Sequence, residues 1–230
     1  MVMAPEILKK RLRNEIENFK KNFKHDLEVS DPKLEKFPLI FEITLRDVPG
    51  PVLRKGKVEI KWNHEFSLEV SRSYPYIAPI LTWKTEIFHP KIVSPKETSS
   101  FAGTIDLYVL DNWKFGYSLK TIAEAIEQIL ANPKKSSPMS HESTMEAAEY
   151  FEKTEFETPK RIYLNLILDD RRVEESLDLS REETLEDVRK KIIRSAEREK
   201  IKKLLLNGEE PSEDVKLKNR DFLEVFLESS

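Results

Sequence analysis

Apolar residues recur at helical spacing near the start of the chain. Leu8, Leu12, Ile16, Phe19 and Phe23 fall at steps of four, four, three and four, with Lys, Arg and Glu between them. This predicts an amphipathic helix over 5–24. After Asp31-Pro32 the period drops to two: Phe37, Leu39, Phe41, Ile43 and Leu45 alternate with other residues, as in a half-buried strand that ends at Val48-Pro49-Gly50-Pro51. Residues 57–62 and 66–70 predict two further strands joined by an Asn63-His64 turn, and 80–83 a short fourth, together an antiparallel meander. Tyr74-Pro75-Tyr76-Ile77-Ala78-Pro79 lies between the last two, where its prolines, lacking amide hydrogens, exclude a central strand.

Residues 85–112 carry little periodicity and read mostly as loop. A helical stripe then returns at Leu119, Ile122, Ile126, Ile129 and Leu130, with Ser118 as N-cap and Asn132-Pro133 as the stop. Another helix is predicted over 143–153. Past the polar segment 154–159, Ile162, Leu164, Leu166 and Leu168 alternate through a strand. Asp169-Asp170 reads as a turn into a second strand ending near Leu179, and Ser180 or Thr184 caps a helix carrying Leu185, Val188, Ile192 and Ile193. Leu204-Leu205-Leu206 and the stretch 222–227 supply two more strands around Asn207-Gly208. The order strand, strand, helix, strand, strand in about 70 residues is a β-grasp pattern, so the chain is read as α+β with domains at 1–153 and 160–230 and a linker at 154–159.

The composition narrows the function. Of 230 residues, 39% are apolar and 35% charged, enough apolar material for packed cores. No apolar run reaches the roughly 18 residues of a membrane span, and the first residues lack a secretory stretch, so a soluble, cytoplasmic protein without membrane insertion is expected. The net charge of -3, split as +1 before residue 154 and -4 after it, offers no positive field for nucleic acid. Zero cysteines removes disulfides, thiolate zinc sites and a thiol nucleophile together. His89 reads as a hydrogen-bonding residue of the fold, and no metal or cofactor is expected.

Six segments of the first block, in order, carry a resemblance: RLRNEIENFKKNF, SYPYIAP, EIFHPKI, GTIDL, LDNW and LKTIAEAIEQILANPKKSSPM. Together they resemble the ubiquitin-conjugating enzyme family in its opening helix, proline turn, HPN flap, active-site segment, following tryptophan and late helix, with a longer insertion at 94–102. The second block is similar to ubiquitin in its element order and in LLLNGEE and FLEVFLES. The resemblance puts the family's cysteine at Asp106 and the asparagine of its HPN motif at Lys91. A carboxylate is a poor nucleophile, and an anhydride formed on it would hydrolyse. Tyr74, Pro75, His89, Pro90 and Trp113, the architectural positions, are kept.

This is the pattern of a ubiquitin-conjugating enzyme variant. The resemblance implies a chain that is not an enzyme but a noncatalytic adaptor, with Asp106, Lys91 and His89 a degenerate active site. Its implied partners are a ubiquitin-like modifier, a conjugating enzyme or a ligase. Leu205 and Phe226 match ubiquitin's apolar patch and are the candidate binding residues of the second block; an end without diglycine implies a fixed domain rather than a modifier. Three alternatives stand beside this reading: a ubiquitin-binding subunit of a membrane-sorting complex, acyl transfer or acid–base work by Asp106 itself, and a structural fusion without a modifier partner, in which both folds are inherited scaffolds.

Overall fold

A computed structural model describes residues 2–23, 25–168, 171–180, 183–195, 199–212 and 215–229. They form two compact units, Met1–Phe156 and Glu157–Ser230. The first unit contains, in chain order, α1 (Pro5–Asn22), β1 (Asp26–Val29), β2 (Leu39–Leu45), β3 (Gly50–Arg54), β4 (Lys57–Lys61), β5 (His64–Val70), β6 (Ile80–Trp83), α2 (Tyr108–Asp111), α3 (Leu119–Ala131) and α4 (Glu142–Lys153). The second contains β7 (Lys160–Leu168), β8 (Arg171–Leu179), α5 (Leu185–Ser195), β9 (Glu199–Leu206) and β10 (Phe222–Ser229).

In the first unit an antiparallel sheet of order β1-β2-β5-β6 packs its apolar face on the helices. Pairing Phe41 with Leu68 and Ile43 with Phe66 sends all four side chains to that face, where they are buried. α1 contributes Leu8, Leu12 and Phe19, and α3 contributes Leu119, Ile122, Ala123, Ile126 and Leu130, all fully buried. Each such large side chain contributes about 1.5–3 kcal/mol by leaving water. Ser118 starts α3 through a reciprocal cap: its Oγ accepts from the Thr121 amide at 3.4 Å, and its own amide donates to Thr121 Oγ1 at 3.3 Å.

The sheet membership corrects the predicted meander. The strand β4 pairs with β3 in a separate two-stranded ribbon, so β2 pairs directly with β5, and β1 adds an outer strand that the pattern did not predict. The reason is local. Lys55 and Gly56 both take positive φ (50° and 74°), the geometry that closes a two-residue hairpin, so 57–61 folds back on 50–54. The short, polar strand β1 carries too little alternation to be seen in sequence.

In the second unit the strand order is β8-β7-β10-β9; β7 and β10 run parallel and the other neighbours antiparallel. One face buries Ile162, Leu164, Leu204, Leu223 and Val225 with Leu185, Val188 and Ile192 of α5. Thr184, not Ser180, caps α5: the Asp187 amide donates to Thr184 Oγ1 at 3.3 Å, and the Thr184 amide to Asp187 Oδ2 at 2.9 Å. The predicted Asp169-Asp170 turn lies outside the described residues.

Candidate functional site

The site is a short hairpin clamped onto β6. The Asp106 amide donates to Lys91 O at 2.9 Å, the Val93 amide to Thr104 O at 2.9 Å and the Gly103 amide to Val93 O at 3.1 Å, with Ile92 opposite Ile105. The hairpin is fixed at Gly103, whose carbonyl accepts the amide of the fully buried Trp83 at 2.8 Å. With φ at +77°, Gly103 sits so close to β6 that a Cβ there would stand 2.7 Å from Trp83 O. Residues 94–102 are the tip of this hairpin.

At its base, Lys91 Nζ donates to Asp106 Oδ2 at 2.7 Å, the two side chains being 22% and 34% exposed. Sequence alone aligns the two positions with a reactive centre; the fold makes them one ion pair. His89 lies behind them, buried. Its Nε2–H donates to Ile129 O at 3.0 Å and its Nδ1 accepts the Lys91 amide at 3.1 Å, which fixes the neutral tautomer. Burial pushes its pKa down to about 4, helped slightly by the Lys91 charge. His89 therefore ties the start of the hairpin to the end of α3 as an uncharged group. Among the described residues no group of three His, Cys, Asp or Glu side chains is placed to hold a metal ion.

A second feature escaped the sequence reading. Tyr76 and Phe115 meet with ring centroids 5.3 Å apart, and Ile77, Ile80 and Phe115 are 58%, 64% and 50% exposed, so this ring pair and the segment that follows Tyr76 leave apolar side chains open to solvent. It is braced from beneath. The buried Glu15 accepts from Tyr74 Oη at 2.7 Å and from the Leu119 amide at 3.1 Å with one oxygen, and from Arg11 Nε at 2.8 Å with the other. Leu119 is the first residue of α3, where a carboxylate meets the positive end of the helix dipole. Burial and the neighbouring carboxylate push the Tyr74 phenol upward, so it stays a neutral donor. Arg11 donates to Phe115 O and Tyr117 O, both at 2.8 Å, with its guanidinium 5.0 Å from the Phe115 ring. Trp113 Nε1 donates to Pro75 O at 2.7 Å, joining the two loops. The only signal in the sequence was the run of aromatic and apolar residues in SYPYIAPI.

In the second unit, Leu205 and Phe226 are half-buried on the sheet face away from α5. Leu205 pairs with Glu224 and Phe226 with Ile167 and Lys203, so they are diagonal neighbours on that face. Between them and β8 lies Asn165, 1% exposed, whose side-chain amide finds no hydrogen-bond partner among the described residues.

The family model for "Ubiquitin-conjugating enzyme" matches residues 11–162. An Arabidopsis thaliana "Probable NEDD8-conjugating enzyme Ubc12-like" is 26% identical over 123 residues, covering 53% of this chain and 59% of the relative. "Ubiquitin-conjugating enzyme E2 21" of Caenorhabditis elegans is 30% identical over 101 residues, covering 43% and 44%. The chain thus spans about half the length of the curated relatives it matches. Among solved structures, S. cerevisiae Ubc12 aligns with a TM-score of 0.48 at 17% identity over 67% of this chain and 73% of that one. These matches correct one expectation. The motif resemblance implies a chain that is not an enzyme, whereas the matching family model and the named relatives are those of conjugating enzymes. The absence of cysteine stands beside that finding as a fact of composition.

Proposed function

Since the chain belongs to the ubiquitin-conjugating enzyme family, we propose that it serves a ubiquitin-like conjugation pathway as an adaptor that docks protein partners. The observation that carries the reading is the Tyr76–Phe115 ring pair, with the exposed Ile77 and Ile80 following Tyr76 in the chain, and with Phe115 tied down by the half-buried Arg11, which is bonded to the buried Glu15. Exposed aromatic and aliphatic residues on a rigid base supply large contact area at small entropic cost, which suits a protein interface. In this reading the family's variant form places Asp106 and Lys91 where a thioester centre would lie, and their ion pair closes that surface with a charge-neutral cover. The second unit is a β-grasp, ubiquitin-like module beyond a connection at 154–159, and its Leu205–Phe226 face takes a further component. The partner class is a ubiquitin-like modifier, a conjugating enzyme or a ligase.

The test is a solution titration of the isotope-labelled chain with a ubiquitin-like modifier, a thiol-bearing conjugating enzyme and a ligase domain from the same source. Saturable amide shifts around Tyr76 and Phe115, lost in Phe115→Asp, or around Leu205, lost in Phe226→Asp, support the reading. Absence of saturable shifts with all three partner types overturns it.

A further inference from the structure

The tip of the hairpin carries a constellation separate from the docking surfaces. Ser99 Oγ lies 3.0 Å from His141 Nε2, and His141 Nδ1 lies 3.0 Å from Ser143 Oγ. A proton on Nδ1, given to Ser143, leaves the Nε2 lone pair facing the Ser99 hydroxyl. Ser99 Oγ already accepts the Phe101 amide at 3.3 Å, which favours its own proton pointing to the imidazole. This is the geometry of a hydroxyl held against a base that is oriented by a third group. The backbone amides of Thr98, Ser99 and Ser100 find no acceptor among the described residues.

We propose that Ser99 is a nucleophile, with His141 as its general base, that accepts an acyl group from a thioester. Ser99 Oγ bonds to the carbonyl carbon, and the carbon–sulfur bond breaks. The hydroxyl proton passes to His141 Nε2 and from there to the departing thiolate, so the products are a serine ester and a free thiol, with no change of oxidation state. His141 also lines an open groove with Pro138, Met145, Glu142, Glu146 and Glu149, whose apolar floor and carboxylates suit an acyl chain bearing cationic side chains. The nucleophile and its base rest on the contacts of Ser99, His141 and Ser143, whereas the choice of a thioester donor, the carboxyl-terminal thioester of a ubiquitin-like protein, rests on the pathway reading above.

The experiment incubates the full chain with a short arginine-containing peptide α-thioester and with its glutamate counterpart, and follows intact mass, hydroxylamine lability and the modified position. The expected result is one adduct per chain, cleaved by hydroxylamine as an ester is, mapped to Ser99 and formed faster from the arginine peptide. Its rate falls about 100-fold or more in Ser99→Ala and in His141→Gln. Ser143→Thr keeps the rate and Ser143→Ala lowers it, with thermal melting unchanged in all four. An adduct that resists hydroxylamine, that maps to lysine, or that forms equally fast in the variants overturns the proposal, as does no adduct at all. Failure of the pathway reading shows instead in the partner titration, as an absence of saturable shifts at Phe115 and Phe226.

Discussion

Lys91 Nζ stands 2.7 Å from Asp106 Oδ2, so the two positions that the family resemblance assigns to reactive chemistry are bonded to each other. The pair is partly exposed and weak in stability terms: Lys91→Ala or Asp106→Ala changes unfolding free energy by about 1 kcal/mol or less in urea titration. The electrostatics show better in Asp106→Cys, the single thiol of a chain that has no other. The Lys91 ammonium favours the thiolate, so the midpoint of alkylation against pH falls below the ordinary thiol value of about 8.5, and Asp106→Cys combined with Lys91→Ala brings it back up. Equal midpoints in the two proteins contradict the contact.

Glu15 is the brace under the aromatic patch, and removing it strands its partners. Glu15→Ala leaves Tyr74 Oη, the Leu119 amide and Arg11 without their acceptor in a buried place. We expect a loss of about 3 kcal/mol. Tyr74→Phe, which removes one donor while keeping the ring, costs about 1 kcal/mol. The three tryptophans, Trp62, Trp83 and Trp113, all lie in the first unit, so fluorescence-monitored denaturation reports its stability directly. Equal effects of the two substitutions argue against the shared carboxylate.

Acid should weaken the same unit earlier than carboxylates alone predict. Burial pushes both His64 and His89 down to about 4 from the ordinary 6.5. Between those values the unfolded chain binds protons that the folded chain refuses, so stability is fully present above about 6.5 and is lost as pH falls toward 4. Each histidine accounts for up to about 3 kcal/mol across that range. The urea midpoint followed by tryptophan fluorescence should fall steadily from pH 7 to 4.5; a flat profile sinks the assignment.

Two glycines of similar φ should respond differently to alanine. Gly103 and Gly56 both lie near φ +75°, but a Cβ at Gly103 meets Trp83 O at 2.7 Å whereas one at Gly56 meets open space. Gly56→Ala carries only the backbone penalty of about 1 kcal/mol, and Gly103→Ala adds a collision with β6 that raises the loss to about 3 kcal/mol. Thermal melts of the two proteins side by side decide this; similar losses contradict the clamp.

Asn165 is a buried amide on the Leu205–Phe226 face, without a hydrogen-bond partner among the described residues. An apolar side chain of like size removes an unsatisfied donor and acceptor, so Asn165→Leu should stabilise the second unit by about 1–2 kcal/mol. Amide hydrogen exchange in β7 and β10 measures it, and faster exchange in the variant speaks against the burial.

Much of the scaffold was written in one-dimensional period. The stripes at Leu8–Phe19 and Leu119–Leu130 and the alternation at 39–45 each encode which face of a single element turns inward, and the observed burial follows them. The Ser118 cap was equally legible, because a cap is settled within four residues. Strand partnership was not. Whether 57–61 joins the main sheet depends on two backbone angles at Lys55 and Gly56, and the outcome moved a predicted strand into a separate ribbon. The site divides the same way. The composition alone excludes a thiol, and the motif resemblance alone points to Asp106 and Lys91 as the positions to inspect. That Lys91 bonds Asp106, that Arg11 and Glu15 brace the Tyr76–Phe115 segments through contacts spanning 59 to 104 residues, and that Ser99 meets His141 across 42 residues came only from the folded arrangement. Periodicity reports how one element faces the core, whereas contacts of that reach depend on how several elements close upon one another.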